Sequence, residues 1–208
     1  MSKKPMSVLL VAEGEHERFG ALENLVKRLG GGEASFTLAR VADDRVHAFH
    51  GTGEGHTKRA LGWLEWAWHE EYDALILLID HDRPRERRSD QIRKAQEYWD
   101  PDKPASNLPR AMGVAIKMFD AWMLADEKAL TVVLGCAVAR QRDPETISQP
   151  KQVCARLLEC STKQMAQREM YAEIALRLDI NILTSRCPKG FKPFAEHVGR
   201  VFRQEEYS

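Results

Sequence analysis

Six consecutive apolar residues, Ala74-Leu75-Ile76-Leu77-Leu78-Ile79, run straight into Asp80-His81-Asp82 and then into arginines and a proline. An unbroken apolar run of this length predicts a strand covered on both faces, the kind found in parallel sheets. Its far end carries two carboxylates. Asp80 and Asp82 are two residues apart, so in extended chain their side chains leave on the same face while His81 leaves on the other. Two carboxylates about 4 Å apart repel by about 4 kcal/mol at an effective dielectric of about 20, a cost that invites a compensating cation. A solvated Asp-rich turn is the plain alternative for this stretch taken alone.

Two further runs fit buried strands. Ser7-Val8-Leu9-Leu10-Val11-Ala12 ends on Glu13-Gly14-Glu15-His16-Glu17, where the glycine lets the chain turn. A helical face of Phe19, Leu22, Leu25, Val26 and Leu29 follows, stopped by Gly30-Gly31-Gly32. Stabilisation of the helix N-terminus accounts for Glu15 and Glu17 but not for Glu13, which is left at a strand end. Gly113-Val114-Ala115-Ile116-Lys117-Met118 is the other run, and it passes into a helical pattern that begins near Asp120 and ends at Gly135. Asp126 lies further along that helix, with surface exposure expected.

A shorter strand is predicted over 35–41, and a helix over 57–71 with Ala60, Leu61, Leu64, Ala67 and Trp68 as its packing face. Trp63 and Trp66 read as core or interface. The glycine-rich loop before this helix, with Lys58 and Arg59, could approach a phosphate, but its spacing matches neither common phosphate-binding signature. The remainder reads as helices over 145–158, 162–178 and 191–202. Strand, turn and helix thus recur, giving an α/β architecture with a largely parallel central sheet flanked by helices. The expected division is an α/β domain over 1–135 and a helical extension packed on it over 136–208.

Composition narrows the function classes. Lysine plus arginine and aspartate plus glutamate are both 31, for a formal net charge of zero, so nucleic-acid contact would need a local basic patch or a partner. No apolar run reaches the ~20 residues of a membrane span, and no signal-peptide core precedes Glu13, so no membrane association and a cytoplasmic location are expected. Cys136, Cys154, Cys160 and Cys187 form no Cys-x-x-Cys pair and read as reduced thiols. His47, His50 and His56 crowd one short region, but with glycines between them and no cysteine nearby zinc is disfavoured there. The one concentrated positive stretch is Arg83, Arg85, Arg87 and Arg88, continued by Arg93 and Lys94, directly beside the acidic pair. Such a run is commonly a solvated helix face; beside a metal site it suits phosphate contact.

Ligands in parallel α/β sheets bind outside the carboxyl ends of the strands. Glu13, Asp80 with Asp82, and Asp120 all fall at such ends. Hard oxygen donors without cysteine suit Mg²⁺ or Mn²⁺.

The segment Val11-Ala12-Glu13-Gly14-x-x-Glu17, followed by a hydrophobic strand and Asp80-x-Asp82, resembles the Toprim fold shared by topoisomerases, bacterial primases and overcoming-lysogenization-defect (OLD) nucleases. More narrowly, residues 117–126 (Lys-Met-Phe-Asp-Ala-Trp-Met-Leu-Ala-Asp), Pro150-Lys151, and Cys187-Pro188 with Phe191 and Phe194 resemble a group of small Toprim-like proteins encoded beside an ATPase in mobile or defence loci. That group usually carries Glu where Asp120 stands.

The resemblance implies a Toprim-like fold and a metal-dependent nuclease in a phage-defence or mobile-element system. Glu13, Asp80 and Asp82 would be catalytic. Glu13, Glu17, Asp80, Asp82 and Asp120 would hold Mg²⁺ or Mn²⁺, with Arg83, Arg85, Arg87 and Arg88 on nucleic acid. Lys151, Lys189 and Lys192 are candidates for a charge-neutralising lysine. The partners implied are DNA or RNA and a neighbouring ATPase, and a homo-oligomer is compatible with the sequence. The competing reading is a non-catalytic subunit that binds metal or nucleic acid within an ATPase complex.

Overall fold

Residues 4–46, 55–81 and 87–203 are described by a computed structural model. The apolar runs become the strands β1 (Ser7–Ala12), β2 (Ser35–Arg40), β3 (Ala74–His81) and β4 (Arg110–Ile116). They form one sheet of four parallel strands in the order β2-β1-β3-β4. Parallel neighbours require crossovers, and each crossover carries helix. These are α1 (Leu22–Val26, with wider π-type turns at Glu17–Ala21 and Lys27–Gly31), α2 (Gly55–His69) and α3 (Arg88–Gln96). The sheet is the one expected, in a layout consistent with a Toprim-like fold.

Side-chain alternation explains why β1 and β3 read as unbroken apolar runs. Val8, Leu10, Ile76 and Leu78 face α1 and the C-terminal helices, while Leu9, Val11, Leu75, Leu77 and Ile79 face α2 and α3. With both faces covered, every apolar position of the two strands is buried. After β4 come α4 (Phe119–Met123), α5 (Glu127–Leu134), α6 (Pro150–Glu159), α7 (Gln167–Arg177), α8 (Ile180–Arg186) and α9 (Phe191–Arg203). The helices after residue 135 share one continuous apolar cluster with β1, α1 and β3. At its centre Trp122 lies edge-on to Phe191 at 5.2 Å and beside Phe194 at 5.7 Å between ring centroids. Among the described residues no helix is long and apolar enough to cross a membrane. All four cysteines are free thiols, with Cys154 and Cys187 buried.

At Gly113, α9 comes close to β4. A Cβ placed there would stand 2.5 Å from Cδ2 and 3.0 Å from Cβ of Phe194. Gly113→Ala is therefore expected to cost about 1–3 kcal/mol through overpacking. At this chain length that lowers the melting temperature by about 2–4 °C per kcal/mol. Differential scanning calorimetry reads it, and an unchanged transition would mean that Phe194 moves aside freely.

Several local expectations are corrected. Asp126 is not on the surface: it is 3% exposed, and its carboxylate caps α5 by accepting from the backbone N–H of Lys128 and Ala129. Its other oxygen accepts from the N–H of Asp179, 2.8 Å away, tying α5 to the start of α8. In α2, Trp63 is fully buried and donates its indole N–H to the carbonyl of Val41, whereas Trp68 is 41% exposed. Apolar residues surround this helix, so sheet contact rather than periodicity decides which stripe turns inward. Phe19 is also exposed, with the Arg168 guanidinium 4.4 Å from its ring centroid. His47 and His50 lie outside the described residues.

Candidate functional site

The strand order reverses direction between β1 and β3, since the chain leaves β1 toward β2 on one side and returns to β3 on the other. A crevice at such a switch point, outside the carboxyl ends of the strands, is where ligands bind in open α/β sheets. Glu13 immediately follows β1, and Asp80 is the seventh residue of β3. Their placement is linked directly: the Glu13 carboxylate accepts the backbone N–H of Asp80 at 3.0 Å, spanning the crevice.

Arg88, at the start of α3, reinforces that link. Its Nη1 donates to the Asp80 carbonyl at 2.5 Å and lies 3.5 Å from Glu13 Oε2, with the side chain only 12% exposed. The sequence sets Arg88 among the residues on nucleic acid; in the fold its guanidinium lies against the acidic strand ends. Arg87 precedes α3 and is exposed. Asp82, Arg83 and Arg85 lie outside the described residues.

Glu17 reaches the same region from the turn after Glu13. It is 5% exposed, and its carboxylate folds back over Gly14, occupying the place that a side chain at Gly14 would need. The backbone of Gly14 is not in the left-handed region, so a side chain there would be opposed by the Glu17 carboxylate rather than by the turn. Burial, with repulsion from Asp120 and Glu13, pushes the Glu17 carboxyl up to about 7. Asp80 is shifted the same way, well above the ordinary range, by burial first and then by the charges of Glu17, Glu13 and Asp120. A backbone N–H, that of Phe119, donates to Asp80 Oδ1 at 2.9 Å and partly offsets the shift.

Asp120 is delivered by a strained turn. Lys117 and Met118 both have positive φ, 60° and 82°, and Met118 (ψ 158°) sits in a region essentially reserved for glycine. Such conformations cost about 1–3 kcal/mol each and persist where the surroundings over-determine them. Here Lys117 N–H is held by the His81 carbonyl and Met118 N–H by that of Ala115, both at 3.1 Å. Asp120 itself is buried, and its Oδ1 accepts a short hydrogen bond from the Tyr171 hydroxyl. Gln167 Nε2 donates to that hydroxyl at 2.8 Å, and the Cys154 thiol donates to the Asp120 carbonyl at 3.6 Å. Burial pushes the Cys154 thiol up to about 12, so it serves as a neutral donor. Two imidazole nitrogens at this end, His16 Nδ1 and His81 Nε2, are buried without a hydrogen-bond partner among the described residues.

The structure thus brings Glu13, Glu17, Asp80 and Asp120 into one electrostatically coupled neighbourhood. Among the described residues no three His, Cys, Asp or Glu side chains form a cage for one ion. The donors fit a hard cation that keeps most of its water and takes one or two carboxylates, as Mg²⁺ does, and do not fit a closed zinc site. Sequence reasoning missed Tyr171, Gln167 and Cys154. The helical pattern of Met170, Tyr171, Ile174 and Ala175 marks a buried face, but nothing in it shows that the hydroxyl meets Asp120, 51 positions away. It also missed Glu145, a buried carboxylate that accepts from the N–H groups of Lys189 and Gly190 and anchors the turn into α9.

Fold and site together define an α/β protein with a carboxylate-lined crevice at the switch point of a parallel sheet. The chain belongs to the family described as Domain of unknown function (DUF4276), whose model matches residues 12–198. No curated protein and no solved structure matches it.

Proposed function

We propose that this protein is a divalent-metal-dependent nuclease that hydrolyses phosphodiester bonds of nucleic acid. The observation that carries the reading is the pair of carboxyls, the buried Glu17 and the half-buried Asp80, both raised by desolvation and by neighbouring acidic charge at the one crevice where such a sheet binds ligands. Strongly shifted acids in a crevice are ordinary in catalytic sites and costly elsewhere. Glu13, Glu17, Asp80 and Asp120, with Asp82, are the residues that would hold Mg²⁺ or Mn²⁺. A bound divalent ion supplies charge neutralisation at the phosphate and a nucleophile from water. The chain's own contribution is placement: Arg88 and the Asp80 N–H orient Glu13, Phe119 N–H orients Asp80, and Tyr171 orients Asp120.

The likeness to Toprim proteins of the OLD-nuclease kind supports the same chemistry. It also supports an ATPase partner, a cytoplasmic setting and a role in phage defence. A second reading, a non-catalytic subunit of an ATPase complex, draws on the lack of a three-ligand cage among the described residues and on zero net charge.

The test is a cleavage screen of plasmid DNA, single-stranded DNA and transfer RNA. It is run in Mg²⁺, Mn²⁺ or EDTA, with and without the neighbouring ATPase. Cleavage that requires metal is the expected result. Nucleic-acid binding without cleavage in every arm would establish the second reading instead.

A further inference from the structure

The strand β4 is one edge of the sheet, and a groove of about 540 Å³ runs along it between α3 and α9. A smaller cavity of about 210 Å³ shares Gln96, His197 and Arg200 with it and continues the trough along the N-terminal half of the strand. Seven residues of strand give the trough a length of roughly 20 Å.

Three features say what it can hold. First, backbone hydrogen bonding along the N-terminal half of this edge is already taken. Gln96 donates to the Arg110 carbonyl at 3.2 Å and accepts the Met112 N–H at 2.7 Å, while His197 Nδ1 faces the Met112 carbonyl at 3.3 Å. A peptide adding as a fifth strand would have to displace both side chains. Second, the charged lining is Arg93, Lys189 and Arg200 against one carboxylate, Glu97, which Arg93 already holds at 3.1 Å. A local excess of positive charge on a protein of zero net charge suits a polyanion. Third, the trough lies between helices on opposite faces of one sheet and holds only about 540 Å³, room for one extended chain and too little for a duplex.

The groove also leads to the acidic crevice. Its upper end is lined by Ser89, next to Arg88, and by Val114, next to the Ala115 that pairs with Asp80. There Gly190 packs directly on the backbone of Val114 and Ile116, setting Lys189 at the junction.

We propose that this groove is the path of a single nucleic-acid strand, its phosphates held by Lys189 and Arg200 as it enters the carboxylate site. The proposal rests on the nuclease reading and specifies its substrate as single-stranded. It is tested by fluorescence anisotropy in EDTA with labelled single-stranded DNA, single-stranded RNA and a duplex of the same sequence. The variants are Lys189→Glu with Arg200→Glu and, as a matched charge control, Lys128→Glu with Arg142→Glu on exposed positions outside the groove.

The groove pair is expected to weaken single-strand binding at least tenfold. It should also flatten the dependence of log K on log salt by about 1.4, for two lost contacts at about 0.7 each. The control pair should bind as the wild type does. Comparison of the DNA and RNA arms identifies the strand. Unchanged binding by the groove pair, equal loss in the control pair, preference for the duplex, or no wild-type binding would each overturn the proposal. So would competition by polyglutamate as effective as by unlabelled oligonucleotide, which would mark an acidic-peptide groove. Should the reversed pair fail to fold, Lys189→Gln with Arg200→Gln carries the same test. Intact single-strand binding with no metal-dependent cleavage would remove the nuclease reading and leave the groove standing.

Discussion

Asp80→Asn is expected to lower metal-dependent cleavage by about three orders of magnitude while raising the melting temperature of the metal-free protein. The two effects have one source. Loss of a charge placed in advance where a reaction needs it costs on the order of 10²–10³ in rate. The same charge, half-buried beside Glu17, Glu13 and Asp120 with no cation, opposes folding. Asparagine keeps an oxygen for the Phe119 N–H, so the turn into α4 should survive. Cleavage kinetics in Mg²⁺ and thermal melts in EDTA read the two halves separately. Wild-type cleavage by this variant would remove Asp80 from the catalytic site. A lower melting temperature with activity lost would mean that the aspartate is structural first.

In EDTA, raising the pH from 5 to 8 should destabilise the wild type, and Glu17→Gln should reduce that trend, leaving the part that Asp80 and Glu145, also raised by burial, contribute. Glu17 titrates near its ordinary 4.5 when unfolded and at about 7 in the fold, so the folded protein binds the proton more tightly. The penalty is absent below pH 4.5, grows between 4.5 and 7, and is complete above 7. A displacement of this size corresponds to roughly 3 kcal/mol at about 1.4 kcal/mol per pH unit, or about 6–12 °C in melting temperature. Asp80 acts in the same direction. His197 acts in the opposite one, because burial lowers its affinity for a proton and acid forces it to charge. The Glu17→Gln comparison cancels that contribution. Asp43 and Glu127, both held down to about 2 by arginine partners, have finished titrating below this window. Millimolar Mg²⁺ should restore stability at pH 8 far more than at pH 5. A pH trend unaltered by Glu17→Gln would show that this carboxyl is not the group being penalised.

The two central strands were legible in the sequence because burial on both faces leaves a signal that needs no tertiary knowledge: an unbroken apolar run. The runs beginning at Ser7 and Ala74 are β1 and β3 with their first residues matched, and β2 begins at Ser35 as expected. The acidic strand ends were legible for a related reason, since chain direction puts Glu13 and Asp80 on one side of a parallel sheet. What could not be read was set by distant partners. Asp126 is buried because the N–H of Asp179 arrives 53 residues later, and Glu145 because the turn at Lys189-Gly190 needs an acceptor. The predicted helix over 162–178 begins only at Gln167, and α8 was missed, because α8 opens on the Asp179 cap rather than on an apolar stripe. Arg88 reads like its neighbours in a basic run, and only the fold turns it toward Glu13.

The carboxylate of Glu17 and the missing side chain of Gly14 fill one volume between them. A change at one position is therefore felt at the other. A methyl at Gly14 displaces the acid, and a shorter acid at Glu17 leaves a gap beside a bare backbone. The Glu-Gly-x-x-Glu spacing thus sets two positions that share one volume, so the size of the residue at one decides where the acid at the other can lie.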